Sequence, residues 1–171
     1  TIWTYTRASN RTANIATPVV RGNRVFFSSD YGTGGGLLEV RAAGNLATAD
    51  EIYFTRDMRN HHASSVLVGD HLYGFSSSIL TALHFDTGAL AWRNRSVGKG
   101  SLIAADGMLY LYSENGVVGL AEATPADYRE RGRFQLQTGA SPTWSHPIIT
   151  SGLLILRDQD VVYAYDVRRQ R

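Results

Sequence analysis

The sequence contains no cysteine, and this absence excludes several classes of site. Disulfide bonds, zinc–thiolate centres and a cysteine nucleophile all need a thiol, so this chain can supply none of them. A chain without disulfides fits a cytoplasmic and a periplasmic address equally well. The compartment therefore has to be inferred from other features.

Lysine is nearly absent as well: Lys99 is the one lysine among 17 basic residues, and the net charge is only +2. The arginines are dispersed, apart from Arg168, Arg169 and Arg171 at the end of the sequence. A nucleic-acid-binding surface needs a basic stripe with interleaved aromatic side chains. Because the sequence shows no such stripe, we expect no nucleic-acid partner and interpret the terminal arginines as a solvated end.

Long hydrophobic runs and helical patterns are also missing. No stretch approaches the 18 consecutive apolar residues of a membrane-spanning helix. No window sustains the 3.6-residue periodicity of an amphipathic helix either. We therefore expect no membrane span and an all-β fold.

What the sequence does contain is an internal repeat. Four segments each combine a short apolar strand, a two-residue turn with Gly, Asp or Asn, and a second apolar strand. Turns of this composition supply the positive φ that a tight hairpin needs. Their register residues recur roughly every forty residues, which is the length of one four-stranded propeller blade. These register residues are Val25, Leu72, Leu109 and Leu154.

Further strand-like segments follow each hairpin. Third strands are predicted at 37–40, 80–85, 117–121 and 161–165, and fourth strands at 51–54, 90–93 and 133–136. The sequence thus predicts a β-propeller segment of about four four-stranded antiparallel blades, forming a single domain over residues 1–171. The blade units are 14–54, 61–93, 98–136 and 143–167.

The ends of the chain suggest how a ring is completed. Residues 2–5 resemble a fourth strand, and we expect them to complete a neighbouring blade or the last blade. Such pairing protects sheet edges that would otherwise pair with other chains. One alternative is a closed four-bladed ring, which is uncommon. We expect instead half of a roughly eight-bladed ring, with the remaining blades or a second copy of the chain, as a dimer, completing it.

Three motifs carry a resemblance to a known family: the turn at 70–73, the segment 83–88 ending in Thr-Gly, and the strand containing Trp92. With them the chain resembles the quinoprotein-like, or pyrroloquinoline-quinone-like (PQQ-like), β-propeller repeat proteins over essentially its whole length. This family includes alcohol dehydrogenases and scaffold lipoproteins of outer-membrane assembly, so the resemblance specifies the fold more than the function. It implies a bacterial protein with a periplasmic or secreted address.

The dehydrogenase members of the family imply a site that this chain mostly lacks. They resemble one another in an adjacent-cysteine disulfide, a tryptophan floor under the quinone, an aspartate base and a calcium held by Glu, Asn and Asp. This chain has no cysteine, and no Glu, Asn and Asp of its sequence can be matched to the calcium ligands. Trp144 is the one tryptophan placed where it could lie under the quinone. We therefore expect no cofactor, with PQQ and calcium as the alternative.

Functional residues of propellers usually lie around the central axis, at the loops that enter the innermost strands. Small residues at 16, 63, 100 and 145 follow these loops, which indicates strands packed closely around an axis. The candidate ligand-binding residues at these loops are Asn14, Asn60, His61, His62, Lys99, Trp144 and His146.

Among the candidates, His61 and His62 have side chains suited to metal binding or proton transfer, because imidazole ligates metals and titrates near neutral pH. Neighbouring residues on one strand point to opposite faces, so a metal would need a third ligand, such as His146 from another blade. We interpret the histidines as a polar funnel lining and expect no metal site.

Two further features have a functional and a structural interpretation. Lys99 lies between two glycines and either holds an anionic ligand or is a solvated surface lysine. The glycine-rich segment 30–36 lacks the Lys-Ser/Thr ending of a phosphate loop and falls between two strands. We interpret it as an elaborated turn in which Tyr31 and Thr33 make rim contacts.

Three functions stay open at this point. We favour a non-catalytic binding or scaffolding module that holds a protein, peptide or glycan with its funnel mouth and blade-top loops. The first alternative is part of a PQQ-dependent alcohol dehydrogenase. The second is a hydrolase or lyase that combines funnel histidines with Ser28, Ser64 or Ser101, although the sequence has no nucleophile elbow.

Overall fold

Strands and turns make up the fold. The computed structural model describes residues 1–44, 46–139 and 141–168. Within these residues there is no helix, and hence no helix long and apolar enough to cross a membrane. Arg169 and Arg171, interpreted above as part of a solvated end, lie outside the described residues.

The described strands form four antiparallel sheets, each built from strands that are consecutive in sequence. We call these sheets blades 1 to 4. Blade 1 contains β1 (Val19–Arg21), β2 (Arg24–Ser29), β3 (Gly34–Ala43) and β4 (Leu46–Thr55). Blade 2 contains β5 (Val66–Val68), β6 (His71–Ser76), β7 (Ile79–His84) and β8 (Leu90–Asn94). Blade 3 contains β9 (Gly100–Ala105), β10 (Met108–Ser113), β11 (Val117–Glu122) and β12 (Glu130–Gln135). Blade 4 contains β13 (Ile148–Thr150), β14 (Leu153–Asp158) and β15 (Val161–Asp166).

This architecture confirms the all-β propeller fold expected from the repeat. The first hairpin of each blade turns where the glycine-containing dipeptides predicted it. In blades 1 and 2 the turn residues Gly22 and Gly69 have φ of 59° and 57°. Arg21 pairs with Arg24, and Val68 with His71, so each loop has two residues. A loop of this length needs the left-handed backbone that glycine adopts at no steric cost.

The core lies between the blades. Leu72 and Tyr73 are adjacent on β6 and therefore face opposite sides of the sheet. Leu72 belongs to the apolar cluster between blades 1 and 2, and Tyr73 to the cluster between blades 2 and 3. A third cluster, with Tyr112 and Leu156, joins blades 3 and 4. Blades 2 and 3 are thus buried on both faces, and among the described residues no apolar cluster joins blade 4 back to blade 1.

Residues 2–5 form no strand in the structure, which differs from the expected fourth strand. Instead Trp3 and Tyr5 pack on Phe27, with ring centroids 6.2 and 6.3 Å apart. The Tyr5 hydroxyl donates a hydrogen bond of 2.7 Å to the Glu51 carboxylate. Phe26 faces blade 2, so its neighbour Phe27 faces away from it. The N-terminal aromatic rings therefore cover the free face of blade 1, and this packing places the segment over a sheet face rather than along a sheet edge.

The face of blade 4 turned away from blade 3 carries apolar side chains. Ile148 is 52% exposed and Val162 is 63% exposed, and Ile155, which pairs with Ile148, lies on the same face. In a propeller such a face is normally covered by the next blade. Completion of the ring by further blades or by a second copy of the chain stays a prediction.

The inter-blade core can be tested by truncating Leu111, which is fully buried between blades 2 and 3. We expect Leu111→Ala to lower the free energy of unfolding by about 2–5 kcal/mol, because it leaves a cavity in a close-packed cluster. Urea unfolding measures the change. The control Leu46→Ala removes a side chain that is 74% exposed and should change stability by less than about 0.5 kcal/mol. Equal effects of the two substitutions would contradict a core located between the blades.

Candidate functional site

Antiparallel strand order brings functional side chains from four blades to one place. Since the strands of a blade alternate in direction, the loop entering the first strand and the turn between the second and third strands lie at the same end of the sheet. At this end we define the axial cluster by its seven residues, which come from all four blades. They are Tyr31, His61, His62, Lys99, Glu114, Trp144 and His146.

Two histidines face each other inside the axial cluster. The Nδ1 atoms of His61 and His62 are 3.3 Å apart, and His61 Nε2 lies 2.8 Å from the Tyr31 hydroxyl. The sequence argument placed the two imidazoles on opposite faces because it assumed a strand. In the structure residues 61 and 62 lie in the loop before β5, where the alternation rule does not apply. The loop turns both rings toward the same point.

Glu114 is the acceptor at the centre of the cluster. Its Oε1 accepts a hydrogen bond of 2.8 Å from Trp144 Nε1 and lies 3.0 Å from the Lys99 ammonium. The Lys99 side chain is 30% exposed and that of Glu114 is 18% exposed. Lys99 is therefore held in an ion pair that neutralises Glu114.

Glu114 was not identified from the sequence, although a signal for it was present. The residue lies in the turn between β10 and β11, at the same end of blade 3 as Lys99. Comparing the turns between second and third strands across the repeats would have placed a carboxylate opposite the funnel residues. Glu114 was missed because candidates were taken from the loops entering the first strands and from the turn at 30–36, while the equivalent turn of blade 3 was not compared with them.

His62 is buried and electrically neutral. It is 6% exposed, and its ring stacks on Trp144 with centroids 5.8 Å apart and an angle of 21°. Burial lowers the pKa of His62 to about 4, and the neighbouring Lys99 acts in the same direction, while Glu114 opposes the shift. His146 Nε2 donates a hydrogen bond of 2.9 Å to the His62 carbonyl oxygen, which ties blade 4 to blade 2. At neutral pH the His62 ring therefore carries no charge.

The other predicted site residues lie elsewhere. Asn60 is only 2% exposed; its side chain accepts hydrogen bonds from Ser28 and Ser65 and donates to the Phe75 carbonyl. It anchors the histidine loop instead of facing a ligand. Asn14 accepts a hydrogen bond from the Asn10 amide within a local turn. The Thr33 amide donates to the Asp30 carbonyl in the turn that carries Tyr31.

The mouth of the cluster is aromatic and open. Trp144 is 58% exposed and Tyr31 is 50% exposed. A surface cavity of about 430 Å³ adjoins Trp144 and is also lined by Ser145, Arg157 and Gln159. Trp144 thus places an exposed aromatic ring at the wall of this cavity, and an aromatic anchor beside a few polar groups is typical of sites that bind a ligand side chain.

A hydrolase would use one of three serines as its nucleophile, and the hydroxyls of all three take part in hydrogen bonds within the fold. Ser28 donates to Asn60, Ser64 accepts from the Thr17 amide, and Ser101 donates to the Ser145 carbonyl. Among the described residues none of these three hydroxyls contacts a histidine ring. The arrangement therefore lacks the nucleophile–base contact on which covalent hydrolysis depends.

The axial cluster does not fit the calcium and quinone of the dehydrogenase alternative. Calcium takes six to eight oxygen ligands, whereas the cluster offers imidazoles, an ammonium, an indole and a single carboxylate, Glu114. That carboxylate is already paired with Lys99. The donor set of the described residues is unsuited to a hard cation, so we derive no reaction step through this cofactor.

A family model described as outer membrane protein assembly factor BamB matches residues 1–94, which is more than half of the chain. The chain belongs to this family. The match confirms the resemblance to PQQ-like propeller repeats and supports a binding or scaffolding module. No curated protein sequence matches the chain significantly.

Three solved structures are similar in fold to this member of the BamB family. BamB from Moraxella catarrhalis matches with a TM-score of 0.64 and 15% identity, over 87% of this chain and 41% of its own. A europium-containing methanol dehydrogenase matches with a TM-score of 0.55 and 11% identity, over 74% and 25%. The computationally designed protein Ika8 matches with a TM-score of 0.53 and 12% identity, over 90% and 58%. These likenesses concern the fold, and the chain spans less than two thirds of each of these structures.

The contact between Trp144 and Glu114 can be tested by NMR on the indole N–H signals. We expect Glu114→Ala to shift the Trp144 indole resonance and to speed its exchange with water, because its acceptor is removed. The Trp92 indole donates to the Thr124 carbonyl and should keep its resonance. The control Glu122→Ala removes ion pairs with Arg129 and Arg131 at the other end of blade 3 and should move neither signal. An unchanged Trp144 resonance in Glu114→Ala would contradict the described cluster.

Proposed function

We propose that this chain is a non-catalytic binding module whose axial cluster holds a short segment of a partner protein, with a periplasmic or secreted address. The observation that supports it is the convergence of exposed Trp144 and Tyr31, from blades 4 and 1, around the neutralised Lys99–Glu114 pair. The family description as an assembly factor for outer membrane proteins supports a protein partner and the address.

The exposed aromatic rings are the proposed anchors. Tryptophan and tyrosine dominate binding energy at protein interfaces because they bury a large area with few rotatable bonds. Tyr31 adopts a φ of 58°, a conformation that a bulky residue takes only at a cost. Its ring lies 5.2 Å from that of His61. A strained backbone that holds an aromatic ring at the mouth of a site supports a role in recognition.

The charge of the cluster indicates the chemistry of the partner. Glu114 and Lys99 neutralise each other, and His62 is uncharged at neutral pH. A highly charged peptide segment would therefore gain little electrostatic attraction from these side chains. The cavity beside Trp144, with Ser145, Arg157 and Gln159 in its walls, suits one or two side chains together with peptide groups. The proposed ligand is thus an extended segment with an apolar or aromatic anchor residue.

Selection from a random peptide display library on the immobilised chain tests this proposal. We expect peptides that share an apolar or aromatic anchor, and Trp144→Ala should weaken their binding at least about tenfold by removing an interface anchor. Fluorescence anisotropy with labelled peptides measures the dissociation constants. The control Phe134→Ala removes an aromatic side chain that is 39% exposed and lies on β12; it should leave affinity unchanged.

Two outcomes would contradict the proposal. One is the absence of any enriched peptide. The other is enriched peptides that bind Trp144→Ala as tightly as the unaltered chain, because their site would then lie outside the axial cluster. Circular dichroism confirms that each variant is folded before its affinity is interpreted.

A further inference from the structure

Three side chains of the axial cluster present metal-ligating atoms to one point. One ligand atom each of His61, His62 and Glu114 lies within 4.8 Å of the other two. The two imidazole Nδ1 atoms are 3.3 Å apart, and His62 Nδ1 lies 3.6 Å from Glu114 Oε1. They come from blades 2 and 3, so the packing of these blades sets their spacing.

Two of these spacings, 3.3 and 3.6 Å, are close to those of neighbouring ligands around a tetrahedral ion. Zinc–nitrogen bonds of about 2.0–2.1 Å place neighbouring ligand atoms about 3.3 Å apart. The distance of 3.6 Å between His62 Nδ1 and Glu114 Oε1 is too long for a hydrogen bond. No direct hydrogen bond between these two atoms therefore competes with an ion placed between them.

The hydrogen bonds of His61 and Glu114 also suit metal ligation, whereas the buried His62 Nε2 has no partner among the described residues. When His61 binds an ion through Nδ1, its Nε2 carries the proton and donates to the Tyr31 hydroxyl, which lies 2.8 Å away. Trp144 Nε1 donates to Glu114 Oε1 and orients the carboxylate. Such outer hydrogen bonds fix the tautomer and the orientation of metal ligands in known sites.

We propose that His61, His62 and Glu114 bind one divalent transition-metal ion of the zinc class. Two nitrogen donors and one carboxylate select a borderline ion such as Zn²⁺ over Ca²⁺ or Mg²⁺. Three protein ligands leave a fourth position for water or for a donor atom of a bound partner. This inference does not rest on the proposed peptide binding, since the ion is held by the chain alone.

Lys99 competes with the ion for Glu114, so a substitution of Lys99 tests the proposed metal site. Its ammonium lies 3.0 Å from the Glu114 oxygen, so it competes with a cation for the same carboxylate. Removing its charge with Lys99→Met should free Glu114 and strengthen metal binding. A surface site elsewhere on the chain would not respond to this substitution.

Titration of the untagged chain with Zn²⁺, followed by calorimetry, tests the site. We expect one ion per chain, at least tenfold weaker binding in His61→Gln and in Glu114→Gln, and tighter binding in Lys99→Met. Co²⁺ as a probe should give the intense visible absorption of four-coordinate cobalt. The control is His71→Gln, which alters the other histidine pair of blade 2, where the His71 and His84 rings lie 5.3 Å apart; binding should be unchanged.

Four results would overturn the proposal: failure to bind one equivalent of Zn²⁺, unchanged affinity in both His61→Gln and Glu114→Gln, loss of binding in His71→Gln, or unchanged affinity in Lys99→Met. Thermal unfolding of each variant in the presence of a chelator establishes that it is folded. The zinc-dependent rise in melting temperature then gives a second measure of binding that does not depend on calorimetric heats.

Discussion

Burial of apolar side chains between facing blades is the interaction on which the rest of the structure depends. Each blade is a sheet with apolar side chains on both faces, and alone it would leave one or both of them in water. Packing Leu72 against blade 1 and Tyr73 against blade 3 removes both faces of blade 2 from solvent. Hydrogen bonds between loops of different blades show that this packing also brings their loop ends together. The axial cluster is a consequence of that packing.

The polar groups of the cluster are held by a second layer of contacts. Asn60 connects the histidine loop to blade 1 through Ser28, and His146 connects it to blade 4 through the His62 carbonyl. Stacking against Trp144 keeps the His62 ring out of water and uncharged. The site is thus rigid at its base, while Trp144 and Tyr31 remain exposed at its mouth. This combination of a fixed base and open aromatic rings suits recognition better than it suits acid–base chemistry.

The repeat made the fold predictable, because each hairpin is specified by local chemistry. A two-residue turn such as the one at Gly22 needs positive φ, and alternating apolar residues specify a strand buried on its inner face. The site was predictable only in part. His61, His62, Lys99, Trp144 and His146 were identified from their register, but Glu114 was missed and the two imidazoles were assigned to opposite faces. The causes differ: the contact of Glu114 with Trp144 joins two blades, which the pattern within one repeat does not encode, whereas the two imidazoles were assigned to opposite faces because their loop was taken for a strand. Residues 2–5 form no strand with the described blades, and their pairing with a further blade stays a prediction.

The packed blades hold the loop ends of all four blades in one fixed arrangement. The cysteine-free sequence allows spin labels to be placed on Thr33→Cys in blade 1 and Asp160→Cys in blade 4, two turns at the cluster end that do not belong to neighbouring blades. Pulsed electron–electron double resonance measures the distance between the two spin labels. We expect a single narrow distribution of distances between the two labels. A broad or multi-peaked distribution would show that the blades move independently, and it would contradict the claim that one axial cluster exists.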